Sequence, residues 1–400
     1  MPNPTGRRRD FLFAAFAFSV AMVGTTLPTP LYVLYQQQLG FGPTWLTLIF
    51  SIYAAGVIAA LLLVGSWSDQ LGRRPLLAAG MLMGAISAVI FLYAGSIPAL
   101  LVGRLFSGFS AGIMTGAATV AVIEAAPAAW RQHATLMATA ANMLGLGLGP
   151  LLAGFTSQYL PWPLHLVFWL HLGLLALALL AVAALSETAP RPARPRLRIQ
   201  RPAVPKAVRP WFIPASIGGL AGFSVAGVFT SLVPSILGQV IGVHSALLIG
   251  ALIGLFFLAS VLGQAALKWL PAARHMALGC SGLCLGMLAL GLAIGWAQLW
   301  LLLAAALLAG AGQGMVFRAG MAAVAQASPA QEKAAITSAL FVVLYVCMSL
   351  PVIALGLCIP LFGLRPTGEA FSAVVAVVAL LALASMKRAE RRQQGLSAAG

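Results

Sequence analysis

Gly65, Asp69, Gly72, Arg73 and Arg74 bring an acid, two glycines and paired guanidinium groups together between two long apolar runs. A carboxylate among arginines, with no second acid or nucleophile beside it, suits ion pairing or the capping of a helix N-terminus, not bond breaking. Glu124 and Arg131, on either side of Pro127, form a second polar group of the same kind. Arg104, Arg318 and His171 stand deeper in apolar sequence, where an ionisable side chain is costly and marks either function or a dedicated internal bond. Cys280, Cys284, Cys347 and Cys358 have no His or Cys cluster at metal-ligand spacing, so they read as small packing residues and no metal is expected. No nucleophile has a placed base, and no phosphate-binding glycine loop ends in lysine. The chain therefore reads as neither an enzyme nor an ATP-driven pump, and no cofactor is expected.

The elements that position these residues follow from composition. Of the 400 residues, 61% are hydrophobic and 8% charged, with a mean hydropathy of +0.99, which excludes an ordinary soluble domain. The apolar runs reach the ~20 residues a helix needs to cross about 30 Å of hydrocarbon, whereas barrel strands would be about ten residues of alternating polarity. Twelve helices are expected, near 10–34, 44–66, 75–95, 98–124, 133–157, 164–185, 211–238, 244–266, 275–295, 298–325, 333–360 and 367–386. The fold class is thus an all-α integral membrane protein.

Lys and Arg set the orientation. Arg7 to Arg9, Arg73, Arg74, Arg131, Lys268, Arg274, Lys333 and the tail from Lys387 fall on one side, together with seven basic residues between 191 and 209. Arg365 alone interrupts the other side. Both termini are expected in the cytoplasm, in a multi-pass bacterial inner (plasma) membrane protein. The net charge of +16 follows this topology, so no nucleic acid partner is expected; the lipid bilayer is the partner, and the basic central loop is placed to touch anionic head groups. Arg8, Arg9 and the following apolar residues also resemble a twin-arginine export leader, but the run is too long for a leader core and recurs later in the chain.

That recurrence defines the organisation. Residues 18–27 read FSVAMVGTTL and residues 223–232 read FSVAGVFTSL, so the first and seventh helices are copies. At an offset of 202, Gly108 pairs with Gly310, Gly112 with Gly314, Pro127 with Pro329, Arg131 with Lys333 and Gly154 with Gly356. The expected organisation is two pseudo-symmetric six-helix bundles, 1–188 and 211–386, with a Pro/Arg-rich linker over 189–210 and a tail over 387–400. Two parallel repeats suit alternating access to a site between them.

The segment around Asp69 resembles the loop between the second and third helices of the major facilitator superfamily. Arg104, Gly108 and Gly112 resemble its fourth-helix motif, and Glu124, Pro127 and Arg131 the end of that helix. Gly145, Gly149, Pro150 and Gly154 look like the fifth-helix motif of the twelve-helix drug:proton antiporter branch, with Ala153 in place of one usual glycine. Leu185 to Thr188 and Gly24 to Pro30 are similar to further features of that branch. The resemblance implies the major facilitator fold and a working monomer. It also implies a conformational latch of Gly65, Asp69, Gly72, Arg73, Arg74, Glu124 and Arg131, with Asp69 capping the eleventh helix. From the residues themselves, Arg73 and Glu124 are expected to pair. The copy of this loop, Gly263 to Arg274, lacks an acid, so a latch on Asp69 is one-sided.

Gly145, Gly149 and Gly154 are expected on one helix face, close to a neighbour, with Pro150 permitting a bend. The helices that the family places around the cavity contribute Thr25, Thr26, Arg104, Asn142, Ser224, Thr230, Ser231, Gln313, Arg318 and Tyr345 as substrate candidates. Arg104 either binds substrate or bonds backbone carbonyls of a neighbouring helix, and Arg318 either faces the cavity or snorkels to water. No Asp or Glu stands mid-span in the first, fifth, seventh or tenth helix, which weakens proton antiport and favours anionic or neutral cargo. His171 and His165 read as packed, hydrogen-bonded histidines. The expected function is secondary active transport of small organic compounds, most simply efflux, with protons as the candidate coupling ion. Metabolite uptake by a symporter or facilitator is the alternative, and a transporter-like sensor the rival from another class.

Overall fold

A computed structural model of the chain describes residues 8–64, 67–189, 204–329 and 332–398, with the backbone alone at 69, 334 and 390–398. Among the described residues there is no strand, and twelve helices are long and apolar enough to cross a membrane. They are α1 (Arg8–Thr26), α2 (Pro43–Val64), α3 (Arg73–Leu92), α4 (Ile97–Ala125), α5 (Ala134–Tyr159) and α6 (Leu166–Ala183). The series continues with α7 (Arg209–Ser231), α8 (Ala246–Ala266), α9 (His275–Trp296), α10 (Leu299–Ala327), α11 (Lys333–Phe362) and α12 (Leu364–Ala398).

Three boundaries depart from the sequence expectation, each for a local reason. The first helix does not run to 34. Pro28 and Pro30 lack N–H donors, so α1 ends at Thr26 and a turn leads to a short helix, Tyr32–Leu39, closed by Gly40 at φ 68°. Its copy breaks in the matching place: α7 ends at Ser231, Pro234 follows, and a wider turn over Ile236–Ile241 ends at Gly242 at φ 80°. The tail from 387 is helical as far as Ala398, because nothing in its charged sequence stops α12.

The chain forms two compact units, Met1–Arg201 with Ser245–Gly254, and Pro202–His244 with Leu255–Gly400. In the first, α1 packs on α4, α5 and α6, and α3 on α4 and α6; in the second, α7 packs on α10, α11 and α12, and α9 on α10 and α12. The second unit thus repeats the first pairing by pairing.

Close contact at glycine carries this packing, since helices in hydrocarbon attract one another through van der Waals contact and not through exclusion of water. A Cβ at Gly108 of α4 would lie less than 3.0 Å from the Tyr53 carbonyl oxygen of α2, closer than two such atoms can approach. In the copy, a Cβ at Gly314 of α10 would collide in the same way with the Ser260 carbonyl oxygen of α8. Gly116, on α4, has nothing within 4 Å of that position. Overpacking typically costs about 1–3 kcal/mol. Gly108→Ala and Gly314→Ala should therefore lower the thermal unfolding midpoint of the detergent-solubilised protein while Gly116→Ala leaves it unchanged; three equal midpoints would refute this packing.

Candidate functional site

The polar groups of the first unit gather in two places. One is a cluster of helix ends. The helix α3 opens with Arg73 and Arg74, whose positive charges oppose the positive end of its own dipole, so it needs a carboxylate from elsewhere. Glu187, just past the end of α6, supplies it: its two oxygens accept from the N–H groups of Arg73 at 2.7 Å and Arg74 at 3.3 Å. Gly72, at φ 103°, makes the turn that aims these N–H groups, a conformation that a side chain would strain.

The arginine side chains serve other ends. Arg73 grips Glu124 of α4 with two parallel bonds, Nη2 to Oε1 at 3.0 Å and Nε to Oε2 at 3.2 Å, and its Nη1 donates to Ser68. Thr188 donates to the same carboxylate at 2.6 Å. Arg74 donates to the carbonyls of Val182 and Ala183, and Arg9 to that of Ala184 at 3.0 Å, which satisfies the open C-terminal end of α6. Arg131 lies exposed in the turn Ala128–His133 between α4 and α5. Gly65 and the Asp69 side chain lie outside the described residues, and so does the expected cap on α11.

The second place is inside the bundle. Arg104 is 1% exposed, and its guanidinium donates to the Thr25 carbonyl and stands 4.6 Å from the Tyr53 ring and 5.6 Å from the Phe50 ring. That carbonyl is available because the proline break ends the α1 ladder: Thr29 N–H turns back to Thr26 instead. Arg104 forms no ion pair among the described residues, and its Nε has no hydrogen-bond partner; the buried hydroxyls of Tyr32 and Thr29 have none either. Beside it lies a cavity of about 10 Å³, lined by Gly24, Thr25, Ser87, Ser107, Ser110 and His171. That is about the size of one water. His171 is buried and fits against α1 only because residue 24 is glycine, where a Cβ would collide with its Nε2. Both histidines differ from the expectation of a packed, hydrogen-bonded ring: the His171 Nδ1 is buried without a partner, and His165 is exposed, immediately before α6.

Most hydroxyls expected to face a cavity are bonded to backbone, Thr25 while also lining the small cavity. Thr25 donates to Met22, Thr26 to Leu146, Ser224 to Cys347, Thr230 to Ala226 and Ser231 to Gly227, at 2.7–2.9 Å. The cause is the solvent, since a hydroxyl in hydrocarbon has only backbone to bond. In the second unit, Gln313 accepts from Ser260 at 2.6 Å and Arg318 donates to the Gln264 carbonyl at 2.6 Å. Tyr345 meets the Phe223 ring at 6.0 Å, and the Asn142 Oδ1 is buried without a partner.

The α5 glycines require a correction. Gly145 and Gly149 pack on Ser19 and Val23 of α1, but Gly154 packs on Ala246 at the start of α8, and Gly250 of α8 on Pro150. Nine residues are two and a half helical turns, so Gly154 faces away from Gly145 and serves a different neighbour. Glu187 is the group that sequence reasoning left without a role; the paired arginines opening α3 were the signal that a carboxylate had to come from outside. No group of three His, Cys, Asp or Glu side chains suited to a metal occurs among the described residues.

This fold and these helix-end contacts accompany a match to the family model described as Major Facilitator Superfamily over residues 14–348, and the chain belongs to that superfamily. The chloramphenicol resistance protein CraA of Acinetobacter baumannii is 30% identical over 169 residues, 42% of this chain and 38% of that protein. The curated relatives that the chain matches are covered over only 27–40% of their own lengths. Among solved structures, the human organic anion transporter MFSD10 (TETRAN) is 19% identical with a TM-score of 0.68, covering 94% of this chain and 99% of that one. A POT family transporter in complex with 5-aminolevulinic acid is 16% identical with a TM-score of 0.75, covering 95% of this chain and 96% of that one. At these identities the structures speak to the fold alone.

The Arg73–Glu124 pair makes a two-pronged contact that neither partner can replace alone. A cycle of Arg73→Ala, Glu124→Ala and the double variant, read by unfolding in detergent, should show a coupling of about 0.5–3 kcal/mol. Additive losses would mean that the pair contributes no energy.

Proposed function

We propose that the chain is a secondary active exporter of small organic compounds, anionic or neutral, working by alternating access. The observation that carries the cargo class is Arg104: a buried cation with an unspent Nε–H and no carboxylate partner among the described residues. The seven acidic residues, Asp10, Asp69, Glu124, Glu187, Glu332, Glu369 and Glu390, all lie toward helix ends or outside the spans, so no central anion attracts a lipophilic cation. The similarity to a chloramphenicol resistance protein supports export of a neutral compound, and the likeness to a transporter named for organic anions is compatible with the charge argument. Asn142, Arg318 and Tyr345 are further cargo contacts in this reading. Gly72, Arg73, Arg74, Glu124 and Glu187 hold the first unit's helix ends in register during the cycle, with Gly65, Asp69 and Arg131 completing the latch. Protons are the candidate coupling ion of this reading, with no mid-span carboxylate to carry them, and the working unit is a monomer in the bacterial inner membrane with both termini cytoplasmic.

Proteoliposomes with an imposed pH gradient test this directly, with chloramphenicol as the neutral probe. Gradient-driven movement is expected, with a proton flux that depends on the probe. A charge-assisted hydrogen bond is worth about 1.5–3 kcal/mol, so Arg104→Ala should reduce transport roughly ten- to a hundredfold. Size-exclusion elution and thermal midpoint of the variant establish that it is folded. Transport of ethidium that competes with chloramphenicol and is abolished by Arg104→Ala would overturn the cargo class.

A further inference from the structure

The second unit holds an apolar groove of its own. It encloses about 640 Å³ among α7, α11 and α12, a volume in the range of ligand sites. Its walls are hydrocarbon: Leu220 and Ala221 of α7, Leu355 and Phe362 of α11, Phe371 and Val375 of α12 among them. Pro351 and Pro360 interrupt the backbone ladder of α11, and α12 packs on α7 and α9 more than on α11, which leaves the gap between α11 and α12. The rim is exposed at Ala354, Phe362, Ala370 and Val374, and it continues into the exposed apolar faces that carry Leu350, Leu357, Leu361 and Val377. These faces meet the bilayer, so the groove is an extension of the lipid-facing surface.

Length and polarity identify what fits. From Pro366 to Val378 the groove runs roughly 18 Å at about 1.5 Å per residue. Half of a hydrocarbon layer about 30 Å thick is roughly 15 Å, the depth of one leaflet. Two hydroxyls line it, Ser224 of α7, which donates to the Cys347 carbonyl, and Thr367 at the start of α12. Thr367 is 8% exposed and lines the groove, yet its Oγ1 has no hydrogen-bond partner and does not back-bond to the preceding turn. Arg365, exposed, sits in the first turn of α12 next to Pro366 at that same end. On the groove side of α12 the order is a cation, then a buried hydroxyl donor, then hydrocarbon for one leaflet; Glu369 and Ser372, which follow Thr367 in sequence, face Gly295 and Gly291 of α9 instead.

We infer that this groove binds the acyl chain of a membrane phospholipid, with the lipid phosphate at Arg365 and an ester carbonyl accepting from Thr367. The order of charge, donor and hydrocarbon is that of the lipid itself, and the bilayer delivers it sideways through the open rim. The site is independent of the cargo and direction of transport.

The test uses the full chain in nanodiscs containing phosphatidylglycerol with a photoactivatable group on its acyl chain, with labelled peptides mapped by mass spectrometry. Labelling should concentrate on 354–362 and 370–378. Ala370→Trp, at an exposed rim position, should fill the groove and cut this labelling about tenfold. Arg365→Ala should cut it about fivefold by removing one interfacial cation. Thermal midpoints confirm that both variants are folded. Labelling spread evenly over other lipid-facing helices, or unchanged in Ala370→Trp, would overturn the site. Loss of labelling on addition of chloramphenicol would also overturn it, by giving the groove to a transported compound.

Discussion

Hydrocarbon offers no partner to a polar group, and much of the chemistry in this chain follows from that single constraint. Each backbone donor or acceptor left open by a helix end or a proline must be met from within the protein. The α1 break illustrates the chain of consequences. Pro28 and Pro30 stop the ladder, Thr29 bonds back to Thr26, and the Thr25 carbonyl is released to Arg104. The guanidinium in turn is held over the faces of Tyr53 and Phe50, whose electron-rich rings offset part of the cost of burying it. A strongly unfavourable residue is thereby fixed in place by a helix that had to end.

The same constraint, applied where the helices leave the membrane, organises the cluster around Arg73. The N-terminal donors of α3 and the C-terminal acceptors of α6 are open groups of opposite sign at neighbouring ends. Glu187 satisfies the donors, while Arg9 and Arg74 satisfy the acceptors. Arg73 then links the α3 end to α4 through Glu124, and Thr188 ties the segment after α6 to that carboxylate. These bonds lie within one unit and make the ends of α3, α4 and α6 a single connected piece. Surface ion pairs are usually weak, but here the two-pronged geometry and the shared carboxylate make a network in which the parts reinforce one another.

The spans were legible because each is a hydrophobic run of membrane length, and the superfamily because glycine, acid and arginine recur at fixed points of the topology. The pairing of Arg73 with Glu124 was legible too, since both end adjacent helices on the same side. What sequence did not show was the fate of hydroxyl groups. Thr26 or Ser224 has the same polarity whether it faces a cargo or a carbonyl on a neighbouring helix, and only packing distinguishes the two. The facing of Gly154 was misread for a related reason. A row of glycines suggests one groove, whereas helical phase divides it between α1 and the start of α8. Glu187 was visible as part of a motif, but its role depended on which helix end lay beside it in space.

The two repeats separate what the fold needs from what the activity needs. Gly108 and Gly112 of α4 meet α2 backbone as Gly310 and Gly314 of α10 meet that of α8, so the close-packed spine is duplicated. Two of the charges are not. At the offset of 202 that relates α4 to α10, Arg104 corresponds to Ala306 and Glu124 to Gln326. A packing residue is needed wherever two helices approach, and so both copies keep it. A buried cation is costly wherever it stands, and the one in α4 is held by the Thr25 carbonyl that the α1 break releases. The unspent Nε–H of Arg104 is the part of that side chain which packing leaves unexplained.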